Sequence, residues 1–414
     1  MKLLSFGLRA SLCFATALVQ SDATSSGVET AGKNTQPLNL DLMSWRKGKT
    51  DLQWYATIAV GTPPQKFTVI LDTGSSALLL PRRNCSTCKG HNLFDPSQSK
   101  TFSAQPGYRL EPAFGTGGDT IPLSNPQVAR CTVASDTVSI AGLVSPNHQF
   151  LLCDEYEDAL AGQPVDGILG LSPASTSSWD GQNSFETLYR HLINSNQLSR
   201  PEFAISYVPG KTRGSQITLG GSDPLKYRGD VITIPMNKQL SKLREGWVLD
   251  VQSVYVGSKL LKNSTSYRPA VPAVTLLDTG TAYMLVPDVE TARDLYGQVS
   301  MEIKPIDSLG SWGAPCKMME RVAKDITFTV GNGAHLANLT VPRRAFSLGE
   351  YPGKPGICQG LYLSPPSPAR EPLEGRPAWV FGSPLLKSYY TVWNGVDMTM
   401  GFAKPSWGHC GRRS

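Results

Sequence analysis

Two short segments constrain this chain more than anything else in it: Asp72-Thr73-Gly74-Ser75 in the first half and Asp278-Thr279-Gly280-Thr281 in the second. Each is entered from an apolar run, Val69-Ile70-Leu71 in one case and Val274-Thr275-Leu276-Leu277 in the other. A single Asp-Thr-Gly is a weak signal, because Asp and Gly are common turn residues. Here the device is repeated, and a hydrophobic-hydrophobic-Gly segment follows each copy: Ile168-Leu169-Gly170, then Val380-Phe381-Gly382. The repetition predicts two related lobes facing each other. A length of 414 residues agrees, since it exceeds what one hydrophobic core usually supports.

The runs between these landmarks are short and rich in β-branched and aromatic residues. Residues 54–60 and 67–71 flank Gly61-Thr62-Pro63-Pro64, which reads as a hairpin. Similar runs recur at 137–140, 149–152, 203–208, 215–219, 231–234, 248–256 and 326–330, with helical spacing only at 185–194 and 289–299. The 39 Gly and 31 Pro are scattered rather than clustered, as many short strands joined by tight turns require. The expected class is therefore mostly β. The expected division is a signal peptide at 1–23, a short pro-segment or linker at 24–50, a first lobe at 51–228 and a second at 229–414.

Paired carboxylates carry a specific chemistry. Amide hydrolysis without a metal needs a general base to take a proton from water and a general acid to protonate the substrate. Two carboxyl groups at contact distance cannot both ionise cheaply, so they share one proton and one negative charge and supply both functions. Asp72 and Asp278 are the candidates. Gly74 and Gly280 let the backbone N–H approach each carboxylate, Thr73 and Thr279 can bond across the interface, and Ser75 and Thr281 can donate to the outer oxygens. No metal or organic cofactor is called for. His91, His148, His191, His335 and His409 are not spaced as ligands, and each reads as a surface or satisfied histidine.

The N-terminus reads as secretory: Lys2 and Arg9 precede an apolar stretch at 10–19, and Ser21 and Ala23 form a small-x-small cleavage site. That stretch is too short to span a bilayer and the tail past Phe402 is polar and basic, so no stable membrane anchor is expected. The expected localisation is the secretory pathway, ending outside the cell or in the lumen of an acidic endomembrane compartment. Cysteines and glycosylation sequons at Asn84, Asn263 and Asn338 fit an oxidising compartment. Cys85-x-x-Cys88 has no second ligand pair at zinc spacing, which favours a small disulfide loop. A formal charge of +6 is spread along the chain with no run able to track a nucleic-acid backbone, so no nucleic-acid partner is expected.

Residues 54–81, the repeated Asp-Thr-Gly, Val165-Asp166-Gly167-Ile168-Leu169-Gly170-Leu171 and Tyr389-Tyr390-Thr391-Val392 together resemble the pepsin family of aspartic proteases, in matching order from about residue 51 to about residue 403. The resemblance implies a bilobal β fold, a cleft between lobes, a β-hairpin flap over it, and Asp72 and Asp278 in the catalytic positions. Polypeptide substrates and a monomeric enzyme follow from it; the competing class is an inactive pepsin-fold binding protein, which usually loses one Asp loop. The flap position falls on Phe114-Gly115-Thr116-Gly117. Phe114 replaces the family's usual Tyr, and Leu79 its partner Trp, so an apolar contact is expected where a hydrogen bond is usual. Ser383 and Asn394 replace acidic residues and are read as structural changes. The resemblance further implies disulfides Cys85–Cys88 and Cys316–Cys358, with Cys131–Cys153 across neighbouring strands and Cys410 left over. It also suggests that Arg46, Lys47 or Lys49 covers the carboxylates in a precursor.

Overall fold

The computed structural model describes residues 36–115, 119–174, 177–178, 184–243, 245–262, 272–364 and 374–409. The expected signal segment, the sequon at Asn263, flap residues Thr116 and Gly117, and Cys410 lie outside the described residues. The fold is mostly β and bilobal, built from one long twisted sheet, an eight-stranded sheet and a four-stranded sheet.

The hairpin read at Gly61–Pro64 joins strands Thr50–Val60 and Gln65–Asp72, with Val60 opposite Gln65. Strand Gly167–Gly170 then runs parallel to Gln65–Asp72, Leu71 opposite Leu169, and antiparallel to Leu78–Pro81. The second half repeats the device. Strand Ala378–Phe381 runs parallel to Ala273–Leu277, Leu277 opposite Phe381, and antiparallel to Met284–Leu285. The echo in the sequence is this motif: an apolar strand flanked on both sides, ending where a glycine must pass close to another backbone. A Cβ on Gly170 would lie 2.3 Å from the Ser76 carbonyl carbon, and one on Gly382 would lie 2.1 Å from the Tyr283 oxygen.

The two halves are stitched by backbone and by aromatic packing. Strand Phe203–Ser206 pairs with Tyr390–Asn394, Phe203 opposite Trp393. Their rings stack at 5.7 Å, and Trp247 meets Trp393 edge-on at 5.1 Å. Trp247 is fully buried, and its indole N–H donates to the Leu171 carbonyl of the first half at 2.9 Å. The expected boundary at 228/229 falls inside strand Tyr227–Pro235, which pairs with Thr399–Pro405. Each half also has its own aromatic centre: Phe67, Phe94 and Phe150 in the first, Phe328, Trp379 and Phe381 in the second.

Helices Lys238–Leu243 and Cys316–Val322 join the two expected ones, and the leading segment also differs from its sequence reading. Residues 24–50 read as polar and aperiodic, yet Leu38–Lys47 is a strand, paired with both Ser215–Leu219 and Thr50–Val60. Leu38, Leu40 and Leu42 do alternate with polar residues, and Leu42 is buried. The period-2 signal was present, but with Asn, Asp and Ser between the apolar positions it did not stand out from a polar linker.

The aromatic joint makes a quantitative expectation. Phe203→Ala removes a fully buried ring that touches Tyr189, Trp247 and Trp393, and it should cost about 3–5 kcal/mol. Denaturant melts of the variant should show a lower midpoint; a shift within error of zero would mean the joint adds little.

Candidate active site

Asp72 ends strand Gln65–Asp72, and Asp278 follows directly on Ala273–Leu277. The partner strand fixes each loop from behind: Leu171 N–H donates to Asp72 O at 2.7 Å, and Asp278 N–H to Phe381 O at 3.0 Å. Both chain directions therefore bring an Asp to the same interior edge, one from each lobe.

The two loops grip each other with near two-fold symmetry. The Thr73 hydroxyl accepts the Thr279 N–H at 3.0 Å and donates to Leu277 O at 3.0 Å. The Thr279 hydroxyl accepts the Thr73 N–H at 3.0 Å and donates to Leu71 O at 2.5 Å. Both threonines are buried. Each hydroxyl thus satisfies one N–H and one carbonyl that would otherwise be stranded at the lobe junction.

Each carboxylate is held in the same way. Asp72 Oδ1 accepts the Gly74 N–H at 2.9 Å and Oδ2 the Ser75 hydroxyl at 2.5 Å. Asp278 Oδ1 accepts the Gly280 N–H at 2.8 Å and Oδ2 the Thr281 hydroxyl at 2.6 Å. A Cβ on Gly74 would lie 2.7 Å from the Asp278 carboxyl carbon, and one on Gly280 would lie 2.5 Å from Asp72 Oδ1, so no larger residue fits at either place. The two carboxyls lie close enough for the charge of Asp278 to act on Asp72. Burial, and next the Asp278 charge, raise the Asp72 carboxyl well above the usual carboxylate range; the Ser75 hydroxyl and the Gly74 N–H pull it back only in part.

Ser383 lies nearer than its sequence reading implied. Its N–H and hydroxyl both donate to Thr281 O, at 2.8 and 3.1 Å, and the hydroxyl also reaches Leu52 O at 2.9 Å. It braces the second Asp loop. Asn394 instead caps its own turn, accepting from Val396 and Asp397 N–H.

Strand Ala113–Phe114 pairs with Gln127 and Val128. Half-buried Phe114 packs in a narrow apolar pocket with Ala77, Leu79, Leu151 and Ile168, next to Ser75. Gly115 is exposed. Cystines join Cys85–Cys88, Cys131–Cys153 and Cys316–Cys358, the second lying across directly paired strand positions. Asn84 and Asn338 are exposed.

The basic residues before the first lobe are not on the carboxylates. Arg46 Nε lies 3.0 Å from Asp51, Lys47 Nζ is 2.7 Å from Asp119, and Lys49 is exposed. The expectation that Arg46 or Lys47 covers the dyad is thus corrected: nearer carboxylates, brought in by the fold, neutralise both. Sequence reading also missed residues with no motif around them. Buried Gln53 donates through Nε2 to Gly280 O, bracing the second loop from the first lobe. Buried Gln359 donates to Thr120 O at 2.8 Å and Ser311 Oγ at 3.1 Å, tying the segment after Phe114 to the opposite lobe. Thr50 Oγ1 donates to Leu348 O at 2.8 Å nearby. No sequence signal marked Gln53, since the strand's period puts it on the face opposite Leu52, Trp54 and Ala56.

This fold, with two mirrored Asp loops meeting at its centre, defines the acid-protease class. The eukaryotic aspartyl protease family profile matches residues 53–405. The chain is 28% identical to cathepsin E of Mus musculus over 362 residues, 85% of this chain and 80% of that one. It is 28% identical to pepsin-2B of Gadus morhua over 360 residues, 86% of this chain and 97% of the other. With embryonic pepsinogen of Gallus gallus it shares 26% over 366 residues, 86% of this chain and 81% of that one. The chain belongs to the eukaryotic aspartyl protease family and is an aspartic endopeptidase. No helix among the described residues is long and apolar enough to cross a membrane.

Replacing either gripping threonine by valine preserves shape but strands buried polar groups. Thr73→Val and Thr279→Val should each cost about 1–3 kcal/mol in denaturant melts. The double variant should lose less than the sum, because both belong to one network. Strict additivity would show the hydroxyls act independently.

Proposed function

We propose that Asp72 and Asp278 are the catalytic pair, and that they activate a water between them to cleave polypeptides held extended beneath the Phe114 hairpin. The observation that carries this reading is the threonine grip: it holds two carboxyls close together, one of them pushed towards its protonated form. The ionised member of the pair takes a proton from the water as its oxygen attacks the scissile carbonyl carbon. The proton held by the pair passes to the carbonyl oxygen, giving a neutral tetrahedral diol. Collapse of the diol breaks the C–N bond. One hydroxyl proton passes to the pair, and the proton the pair took from the water goes to the leaving nitrogen, which departs as an amine.

Gly115, Thr116 and Gly117 would follow the substrate backbone as the hairpin closes, and the apolar pocket of Phe114 and Leu79 would favour apolar side chains beside the cut bond. We read residues 1–23 as a secretory signal, 24–50 as the position of a pro-segment, and 51–228 and 229–414 as the two lobes. Residues 38–47 form a strand that would remain with the first lobe. The enzyme would act as a monomer in the secretory pathway, outside the cell or in an acidic lumen, and carry glycans at Asn84, Asn263 and Asn338.

Asp72→Asn and Asp278→Asn should each lower kcat/KM on a peptide library by at least about 10²–10⁴-fold while leaving the thermal melt cooperative. Wild-type protein that binds peptides but cleaves none across the library would instead identify an inactive binding protein. The pH profile should be bell-shaped. At low pH both carboxyls are protonated and the base is lost; as pH rises through the raised pKa of Asp72 the acid is lost. Because that value is raised, the alkaline limb should lie above the ordinary carboxylate range. A profile falling with a pKa near 4 would contradict the assignment.

A further inference from the structure

Away from the dyad, a strongly polar cavity of about 330 Å³ opens on the first lobe, and it shares no lining residue with the Phe114 pocket. Strand Leu143–Tyr156 brings His148 to it, and the helix Leu188–Asn194 brings His191. Glu186, just before the Thr187 N-cap, completes the wall with Ser103, Ser135 and Gln149. The sequence reading made each histidine a surface or satisfied residue, and His148 is neither. It is only 3% exposed, lines the cavity, and makes no hydrogen bond among the described residues; its contact is the ring of His191. A ring this buried that lines a cavity and makes no hydrogen bond to the described residues calls for an explanation.

His191 is oriented in a recognisable way. Its Nδ1 lies 3.2 Å from Glu186 Oε2, so Nδ1–H donates to the carboxylate and Nε2 is the ring nitrogen left for a ligand. A carboxylate behind a histidine in this manner is how metal-ligating imidazoles are held. The ring centres are 5.9 Å apart and nearly perpendicular. A metal–nitrogen bond of about 2.0–2.1 Å plus about 1.1 Å to the ring centre puts two rings on one tetrahedral ion about 5.2 Å apart. A small side-chain adjustment covers the difference.

We propose that His148 and His191 bind one divalent ion of the zinc class in this cavity, with Glu186 positioning His191 from outside the coordination sphere. Among the described residues no three His, Cys, Asp or Glu side chains are arranged around one ion, so the imidazoles are the only ligands of these types and water completes the shell. The hydroxyl and amide groups of Ser103, Ser135 and Gln149 hydrogen-bond those waters.

The test is zinc titration of the chelator-stripped, full-length protein by calorimetry, with Co²⁺ as the spectroscopic probe. The expected result is one equivalent bound per chain, a rise in Tm that saturates with zinc, and visible Co²⁺ bands. Glu186→Gln should weaken affinity about 10–100-fold. His191→Gln should weaken it further or abolish it and remove the Co²⁺ bands, while peptide cleavage stays at the wild-type level. His148→Gln should behave like His191→Gln; should it not fold, the partly exposed His191 variant and the Co²⁺ spectrum decide alone. Zinc binding that survives His191→Gln, or wild-type protein that takes up no more zinc than that variant, overturns the proposal.

Discussion

Everything at the centre of this molecule depends on two threonine hydroxyls exchanging partners across the lobe junction. A hydroxyl is both donor and acceptor, and here each one uses both capacities on backbone groups of the opposite loop. No other side chain of that size does this. Serine would leave a void where the methyl packs, and valine would strand four backbone groups. The grip fixes the two Asp loops relative to each other, and so turns two independent acids into one coupled pair.

Such a pair is expensive, because burial and the nearby Asp278 charge oppose ionisation of Asp72. The surrounding structure offsets the cost locally, with one backbone N–H and one hydroxyl given to each carboxylate, and at longer range through bracing. Ser383 holds the Thr281 carbonyl, and Gln53 the Gly280 carbonyl. The interlobe strand pair and the Phe203–Trp393–Trp247 aromatic cluster prevent the lobes from relaxing apart. The site is thus held in place by the packing of the whole body, which is why its braces come from strands far apart in sequence.

A third tie concerns the segment that follows Phe114. Asp119 pairs with Lys47 of the first lobe's leading hairpin, and the Thr120 carbonyl accepts from Gln359 of the second lobe. Phe114 and Leu79 share one apolar cluster, so this strand rests on dispersion and burial there.

The fold class, the internal repeat and the two Asp loops were legible along the chain, because each is written in contiguous residues: a strand-period run, a turn, a glycine that cannot be larger; the Phe114–Leu79 contact was implied only by the family resemblance. The sequence also carried the helix at Val289–Val299, whose apolar period is clean. Only the tertiary structure decided which polar groups meet. Gln53, Gln359 and Ser383 lie in unremarkable surroundings, and their partners are hundreds of positions or a whole lobe away. It decided too that Leu38–Lys47 is a strand, since weak alternation becomes binding only when two neighbours offer their edges, and that His148 is buried without a hydrogen bond. Side-chain chemistry is legible along the chain, whereas burial and partnership are properties of the folded body.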